Sequence, residues 1–217
     1  ALATSVYDDR AIVRYIVRAF DVRHAYYTDI RPIWNEPRPD LWAQFSCGNR
    51  FLMSRPSGVA NPEGAPVNYT SCLGDNDAQR GHSYYIPFED VSPAHGMIPE
   101  KRKSNLSTGA RAYLSQLGFP DPDNDKAARE TIWLHALAVT NSARYLAEHA
   151  DGLAIDWPRV PLPDSRARFD SSVNIGTRVA AILDTEKDVS GITSGAIDEH
   201  LRAIGVISMS ASAGPDL

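Results

Sequence analysis

Arg23, Asn49, Arg50, Arg55, Asn68 and Arg80, followed by the basic run Lys101-Arg102-Lys103, are the side chains whose types and placement offer chemistry. A guanidinium can donate two parallel hydrogen bonds to guanine O6 and N7, and a carboxamide can pair with adenine N6 and N7. Asn49, Arg50 and Arg55 bracket an apolar Phe-Leu-Met piece, and Asn68, Thr70, Asn76, Gln79 and Arg80 populate the segments that follow. Loops on a rigid sheet are the usual seat of specificity. A plainer reading stands beside this one. Asp21, flanked by Arg18 and Arg23, favours a structural ion pair at a strand turn, while Lys101-Arg102-Lys103 suits either a phosphate grip or a solvated hinge.

Bond-making chemistry is harder to place. An amino-methyltransferase needs an Asn/Asp-Pro-Pro-Tyr/Phe loop to hold and stack a flipped base, but here Asn61-Pro62 is followed by Glu-Gly. The glycine-rich turn of a nucleoside cofactor site and the GxxxxGK[ST] loop of a nucleotide-driven motor are both missing from the sequence. Metal-assisted phosphodiester cleavage calls for converging carboxylates and a lysine, and neither Glu100-Lys101-Arg102-Lys103 nor Glu186-Lys187 has that spacing. The histidines form no HxxxH pair, and Cys47 and Cys72 read as ordinary reduced thiols. Asp77, His82 and Ser83 make a combination that any chain of this length supplies by chance. The expectation is a non-catalytic chain that holds no metal and no cofactor of its own.

Charge sets a second boundary. The formal net charge of -5 argues against a simple polyelectrolyte binder of nucleic acid. Its distribution softens the objection, because residues 1–60 carry eight Arg against six acidic residues and the deficit lies in 61–100 and 171–217. Of the 22 basic residues 18 are Arg, the cation better suited to bidentate contact with bases and phosphates. No apolar run is long enough to cross a membrane, and the start lacks a basic, then apolar, leader. Cytoplasmic location without membrane contact is therefore expected.

The elements that must position these groups divide into an α+β arrangement. Val13-Arg18, His24-Thr28, Asn49-Arg55, Val67-Cys72 and Ser83-Phe88 read as short strands, whereas Arg31-Asp40 and Ser57-Pro66 are too rich in proline for helix. Residues 1–100 are thus expected to form a β-rich recognition half. A polar connector from Ile98 to Ser107 leads to helices in 101–185, the supporting half. A short helix spans Thr108 to Leu117, and Gly118 and Pro120 stop it. A long helix follows the caps in Asp121-Asp125, with Ile132, Ala136, Val139, Ala143 and Leu146 at steps of 4, 3, 4 and 3. After the extended, proline-rich Asp156-Pro163, another helix carries the stripe Phe169, Val173, Gly176, Ala180 and Leu183. These two helices should pack as an antiparallel pair. Residues 186–217 are expected to pack back on the domain, with a helical stretch at Ala196-Ala203 and a strand at Ile204-Ser208.

The segment Arg18-Ala-Phe-Asp-Val-Arg-His-Ala-Tyr-Tyr-Thr28 resembles the Arg-Pro-Phe-Asp-x-Arg … Tyr-Tyr signature that opens the target-recognition region of single-polypeptide Type ISP restriction-modification enzymes. Lys103-Ser-Asn-Leu-Ser107, Arg144-Tyr145, Asp156-Trp-Pro-Arg-Val-Pro-Leu-Pro163, Phe169, Gly176, Gly191-Ile-Thr-Ser-Gly195 and Ala203-Ile-Gly-Val206 follow in the order of that family. Ala19 replaces the usual Pro, and Trp157 stands where Phe is common. The resemblance implies a DNA sequence-recognition module that docks on the adenine-N6 methyltransferase domain of a longer phage-defence enzyme. It further implies double-stranded DNA as the partner, and S-adenosylmethionine, ATP and Mg2+ for the parent enzyme. The alternative is a protein-interaction or scaffold module with little direct DNA contact, which the acidic net charge favours.

Overall fold

The computed structural model describes residues 6–46, 48–55, 64–80, 82–92, 100–196, 199–202, 208–210 and 214–216. Strand β1 (Ile12–Arg18) turns back at once into β2 (Asp21–Tyr26), with Ile12 opposite Tyr26 and Arg18 opposite Asp21. The short β5 (Leu73–Gly74) adds to the other edge of β1 in parallel. In a second sheet, β3 (Phe51–Ser54) is the centre, flanked antiparallel by β4 (Val67–Thr70) and β6 (Tyr84–Pro87). A third, two-stranded sheet pairs β7 (Glu89–Ser92) with β8 (Lys101–Ser104).

All four residues of β3 are buried. Side chains alternate across a strand, so Phe51 and Met53 join one apolar cluster with Ile16, Cys72, Ala78 and Tyr85, while Leu52 joins another with Val67, Tyr69, Phe88, Leu137 and Ala180. Leu137 and Ala180 come from helices. The β-rich and helical halves expected from the sequence therefore share a core through β3, and Ala1–Thr185 forms one compact unit.

Helix α1 (Pro39–Ser46) was not anticipated, because the prolines before it obscured its start. Pro39 occupies the first turn, where a missing N–H costs nothing. The Gln44 carboxamide brackets the Val91 backbone, donating to its carbonyl at 2.9 Å and accepting from its N–H at 2.8 Å. Strands β7 and β8 were also missed, since charged residues mask the alternation. The basic run expected in a polar connector is instead strand β8, with Lys101 and Lys103 exposed and Arg102 half-buried.

Helix α2 (Thr108–Gln116) is capped by Ser107, and Gly118 follows at φ +76°, the left-handed stop that glycine tolerates. The expected long helix is divided into α3 (Lys126–Thr140) and α4 (Ala143–Glu148). Asn141 causes the break: its amide donates to the Leu137 carbonyl at 2.9 Å and to the Val67 carbonyl of β4 at 3.1 Å, tying the helix end to the sheet. After α5 (Ala150–Leu153) and the extended proline segment, α6 (Arg166–Leu183) packs along α3 with Phe169, Gly176 and Ala180 of its expected stripe buried. Helix α3, by contrast, buries Thr131, His135, Leu137 and Ala138 and leaves the expected Ile132, Ala136 and Val139 half-buried. An apolar hollow at the start of the proline segment is lined by Trp157, whose ring meets that of Tyr84 nearly at right angles with centroids 5.8 Å apart.

Residues 186–217 form a separate unit. It contains a bridge between Ser190 and Ser194, helix α7 (Glu199–Arg202) and a hairpin of β9 (Ser208–Ser210) with β10 (Gly214–Asp216). Helix α7 falls inside the expected Ala196-Ala203 helix; 204–207 of the expected strand, most of the loop at 57–66 and Cys47 lie outside the described residues. No described helix is long and apolar enough to cross a membrane.

Candidate nucleic-acid interface

The sequence-predicted polar residues separate into two groups and one isolated pair. Arg55, Asn68 and Arg80 come together with Arg18, Gln79 and Asp77 around an open cleft of about 540 Å³. Arg18 ends β1, Arg55 follows β3, and Asn68 lies in β4 opposite Met53. Asp77, Gln79 and Arg80 belong to the loop between β5 and β6.

That loop is pinned to the core at its base. The Asp75 N–H donates to the Ile16 carbonyl at 2.8 Å, and the Asp75 carbonyl accepts from the Tyr85 hydroxyl at 2.8 Å. The Asp75 carboxylate accepts from the Asp77 N–H at 2.8 Å, an Asx turn. Ala78 is buried in the first cluster, so its neighbours Asp77 and Gln79 are held at the cleft wall. Ser83 Oγ accepts from the Gln79 N–H at 2.7 Å and fixes the far side. Asn76 reaches Glu36 at 3.0 Å.

The guanidiniums of Arg18, Arg55 and Arg80 line the cleft together with the Asp77 carboxylate, which also meets His82 Nδ1 at 3.3 Å. Arg18 donates to two carbonyls, Val17 at 2.8 Å and Asp77 at 3.2 Å, and makes no ion pair among the described residues. Carbonyl partners orient a guanidinium without neutralising it. Arg55 is only 5% exposed, a charge that the fold holds at the cleft wall rather than in solvent. Gln79 Oε1 is buried and has no hydrogen-bond partner among the described residues. An unsatisfied buried acceptor costs about 1–3 kcal/mol, and a ligand N–H reaching it after a small rotation of the side chain would remove that cost. The cleft suits a polyanion that also presents donors and acceptors.

The second group is committed internally. Arg50 pairs with Glu130 at 2.8 Å, and Lys126 approaches the same carboxylate at 3.9 Å. Glu89 bridges Arg102 and Arg129, each at 3.0 Å. Arg102 also meets Glu100 at 2.6 Å, and these partners hold its guanidinium more firmly protonated than usual, Glu100 contributing most. The Asn49 amide donates to the Glu89 carbonyl at 2.6 Å, while its oxygen accepts from the Arg50 N–H at 2.8 Å. Asn49, Arg50 and Arg102 thus tie β3, β7 and β8 to α3.

Arg23 stands apart, bound side-on to Asp21 at 2.9 and 2.8 Å. The pairing lowers the Asp21 carboxyl from its ordinary range and raises Arg23. Tyr27 is core, stacked on Trp42 at 4.2 Å, and Tyr26 is half-buried against Tyr7. Sequence reasoning had noted Gln79 only among several loop residues and Arg18 only as a neighbour of Asp21; the signal that separates them is the loop anchor at Ala78.

The chain matches the family described as the Type ISP C-terminal specificity domain over residues 2–196. Its fold resembles part of the DrdV–DNA complex solved by cryoEM, with 22% identity and a TM-score of 0.61 over 82% of this chain and 16% of that one. The ATP-dependent Type ISP restriction-modification enzyme LlaBIII bound to DNA gives 13% identity and a TM-score of 0.62 over 86% of this chain and 12% of that one. A nuclease-deletion mutant of the Type ISP enzyme LlaGI with a DNA substrate mimic gives 17% identity and 0.57 over 85% and 15%. At these identities the likeness concerns the fold, and the chain spans only a small part of each. No curated protein sequence matches it. With the family match running through both the arginine cleft and the helices that support it, the chain belongs to the Type ISP C-terminal specificity domain family.

Proposed function

We propose that this chain reads DNA sequence for a longer restriction-modification enzyme, and that it does so through the cleft of Arg18, Arg55, Asn68, Gln79 and Arg80. The observation that carries the reading is the convergence of three guanidiniums and two carboxamides on one anchored surface. Guanidiniums would bind phosphates and guanine edges, while Asn68 and Gln79 would pair with adenine. The similar solved structures are complexes with DNA or a DNA substrate mimic, which supports the same partner.

In this reading the parent chain methylates adenine N6 in the cytoplasm, and its methyltransferase domain closes the other side of the duplex. S-adenosylmethionine, ATP and Mg2+ belong to its other domains. Guanidiniums in the cleft repel Mg2+, and among the described residues no three His, Cys, Asp or Glu side chains converge to hold a metal.

A protein-interaction role with little DNA contact is the second reading, favoured by the net charge of -5 and the internal pairing of Arg50 and Arg102. Mapping methylated sites made by the parent enzyme carrying Gln79→Ala or Arg80→Ala separates the two. The sequence-reading role predicts relaxed preference at one base pair, a discrimination of about 1–3 kcal/mol lost for each bidentate contact. An unchanged site preference in both variants would sink it.

A further inference from the structure

Phe20 is a large apolar side chain that the fold displays. It is 68% exposed at the tip of the β1–β2 hairpin, where Ala19 and Phe20 form the loop between the paired residues Arg18 and Asp21. Its backbone φ is +64°, a left-handed conformation in which Cβ is crowded and which glycine or asparagine ordinarily occupies at such a turn. Glycine would relieve the backbone and remove the exposed ring together. Neither turn geometry nor solvation accounts for a phenylalanine here.

Its surroundings suggest what does. Ala19 and Asn68 line the arginine cleft, and the same two residues share with Phe20 a small adjoining hollow of about 20 Å³. The ring therefore stands at the rim of the cleft. The hairpin tip is braced on both sides: Arg18 is hydrogen-bonded to the carbonyls of Val17 and Asp77, and Asp21 is bound side-on by Arg23. An apolar ring on a rigid tip beside phosphate-binding groups has the make-up of a side chain that enters a base stack.

We infer that Phe20 is a DNA wedge, inserted between adjacent base pairs when the cleft guanidiniums engage the flanking phosphates. Base–base stacking is lost at that step and base–phenyl stacking replaces it. This inference rests on the DNA-reading function proposed above. Because the wedge works against stacking, a duplex already weakened at one step should accept it more readily.

The test compares binding of the parent enzyme to an intact duplex and to the same duplex with one central mismatch flanked by 2-aminopurine. Wild type should bind the mismatched duplex about tenfold more tightly and raise the 2-aminopurine fluorescence, since unstacking otherwise opposes insertion. Phe20→Ala should bring the two affinities within about twofold and abolish the fluorescence rise, with Phe20→Leu intermediate. Phe20→Gly serves as the folding control: it should melt no lower than wild type and behave like Phe20→Ala on DNA. A mismatch preference that survives Phe20→Ala, or is absent from wild type while salt-sensitive binding persists, overturns the wedge and leaves the DNA-reading role standing. If Phe20→Ala leaves the preference intact but exposes the parent chain to proteolysis, the ring contacts another domain and the wedge is overturned. Failure of wild type to bind either duplex at low salt removes the DNA-reading role itself.

Discussion

Gly176 of α6 and Leu134 of α3 meet backbone to backbone: a Cβ placed on Gly176 would lie 1.9 Å from the Leu134 carbonyl oxygen. The two helices that support the sheet leave no room here for a side chain, which explains a glycine in the middle of an apolar stripe. Exchange of glycine for alanine in a helix ordinarily stabilises by about 1 kcal/mol. Gly176→Ala should do the opposite, because the obstacle is backbone and cannot swing aside. A loss exceeding about 3 kcal/mol is expected in urea denaturation. A variant as stable as wild type would mean the helices can separate freely.

The stripe on α3 makes a second prediction. The periodicity pointed to Val139, which is half-buried, whereas Leu137 is fully buried among Leu52, Val67, Tyr69, Phe88 and Ala180. Leu137→Ala should cost about 2–5 kcal/mol, the range for truncating a core leucine. Val139→Ala should cost under about 1.5 kcal/mol. Equal losses would place the sheet against the wrong face of α3.

His135 supplies a pH dependence. It is buried, its ring nitrogens meeting Ser172 Oγ and the Pro161 carbonyl, each at 2.8 Å. Pro161 can only accept, so Nε2 carries the proton and Nδ1 accepts from the Ser172 hydroxyl. Burial drives the His135 pKa below its ordinary 6.5, and the hydrogen bond to Pro161 offsets this in part. With a depressed pKa in the folded state, the unfolded chain binds the proton first as pH falls. Stability should therefore decline from about pH 6.5 downward, with an uptake approaching one proton on unfolding. His135→Gln should flatten that slope in denaturation curves taken between pH 5 and 8, whatever its effect on absolute stability. A slope unchanged by the substitution would assign the titration elsewhere.

Strand positions were legible where β-branched and aromatic residues recur, as in β1 and β4, and helix starts where a side chain caps, as at Ser107 and Asp125. Strand β8 was not, because Lys-Arg-Lys-Ser carries its pattern in charge: Arg102 is held inward by Glu89, a partner brought close only by pairing of β7 with β8. The candidate site was half legible for the same reason. Residue type marked Arg50 and Arg55 alike, yet Arg50 is drawn to Glu130 of α3 and Arg55 lies in the wall of the cleft. No local pattern tells these arginines apart, since the partner lies 80 residues away.

That distinction yields the last prediction. Phosphate contacts release counterions, so each one lost should reduce the slope of log affinity against log salt by about 0.9 for duplex DNA. Arg18→Ala with Arg80→Ala removes two cleft guanidiniums. If both engage phosphates the slope should fall by roughly 2, with affinity for all sequences weakened alike. Arg50→Ala with Arg102→Ala also removes two positive charges, outside the cleft and from the ion pairs with Glu130 and Glu89. Glu130 would keep only Lys126, at 3.9 Å, and the buried Glu89 only Arg129, so the second double variant should lose stability, by about 1–3 kcal/mol, with its salt slope nearly intact. Fluorescence anisotropy on one duplex across a salt series, beside urea denaturation of each variant, measures both effects. A slope that drops equally in the two variants would show that net charge alone governs binding; a drop confined to the Arg50 and Arg102 variant would move the interface to β8 and α3.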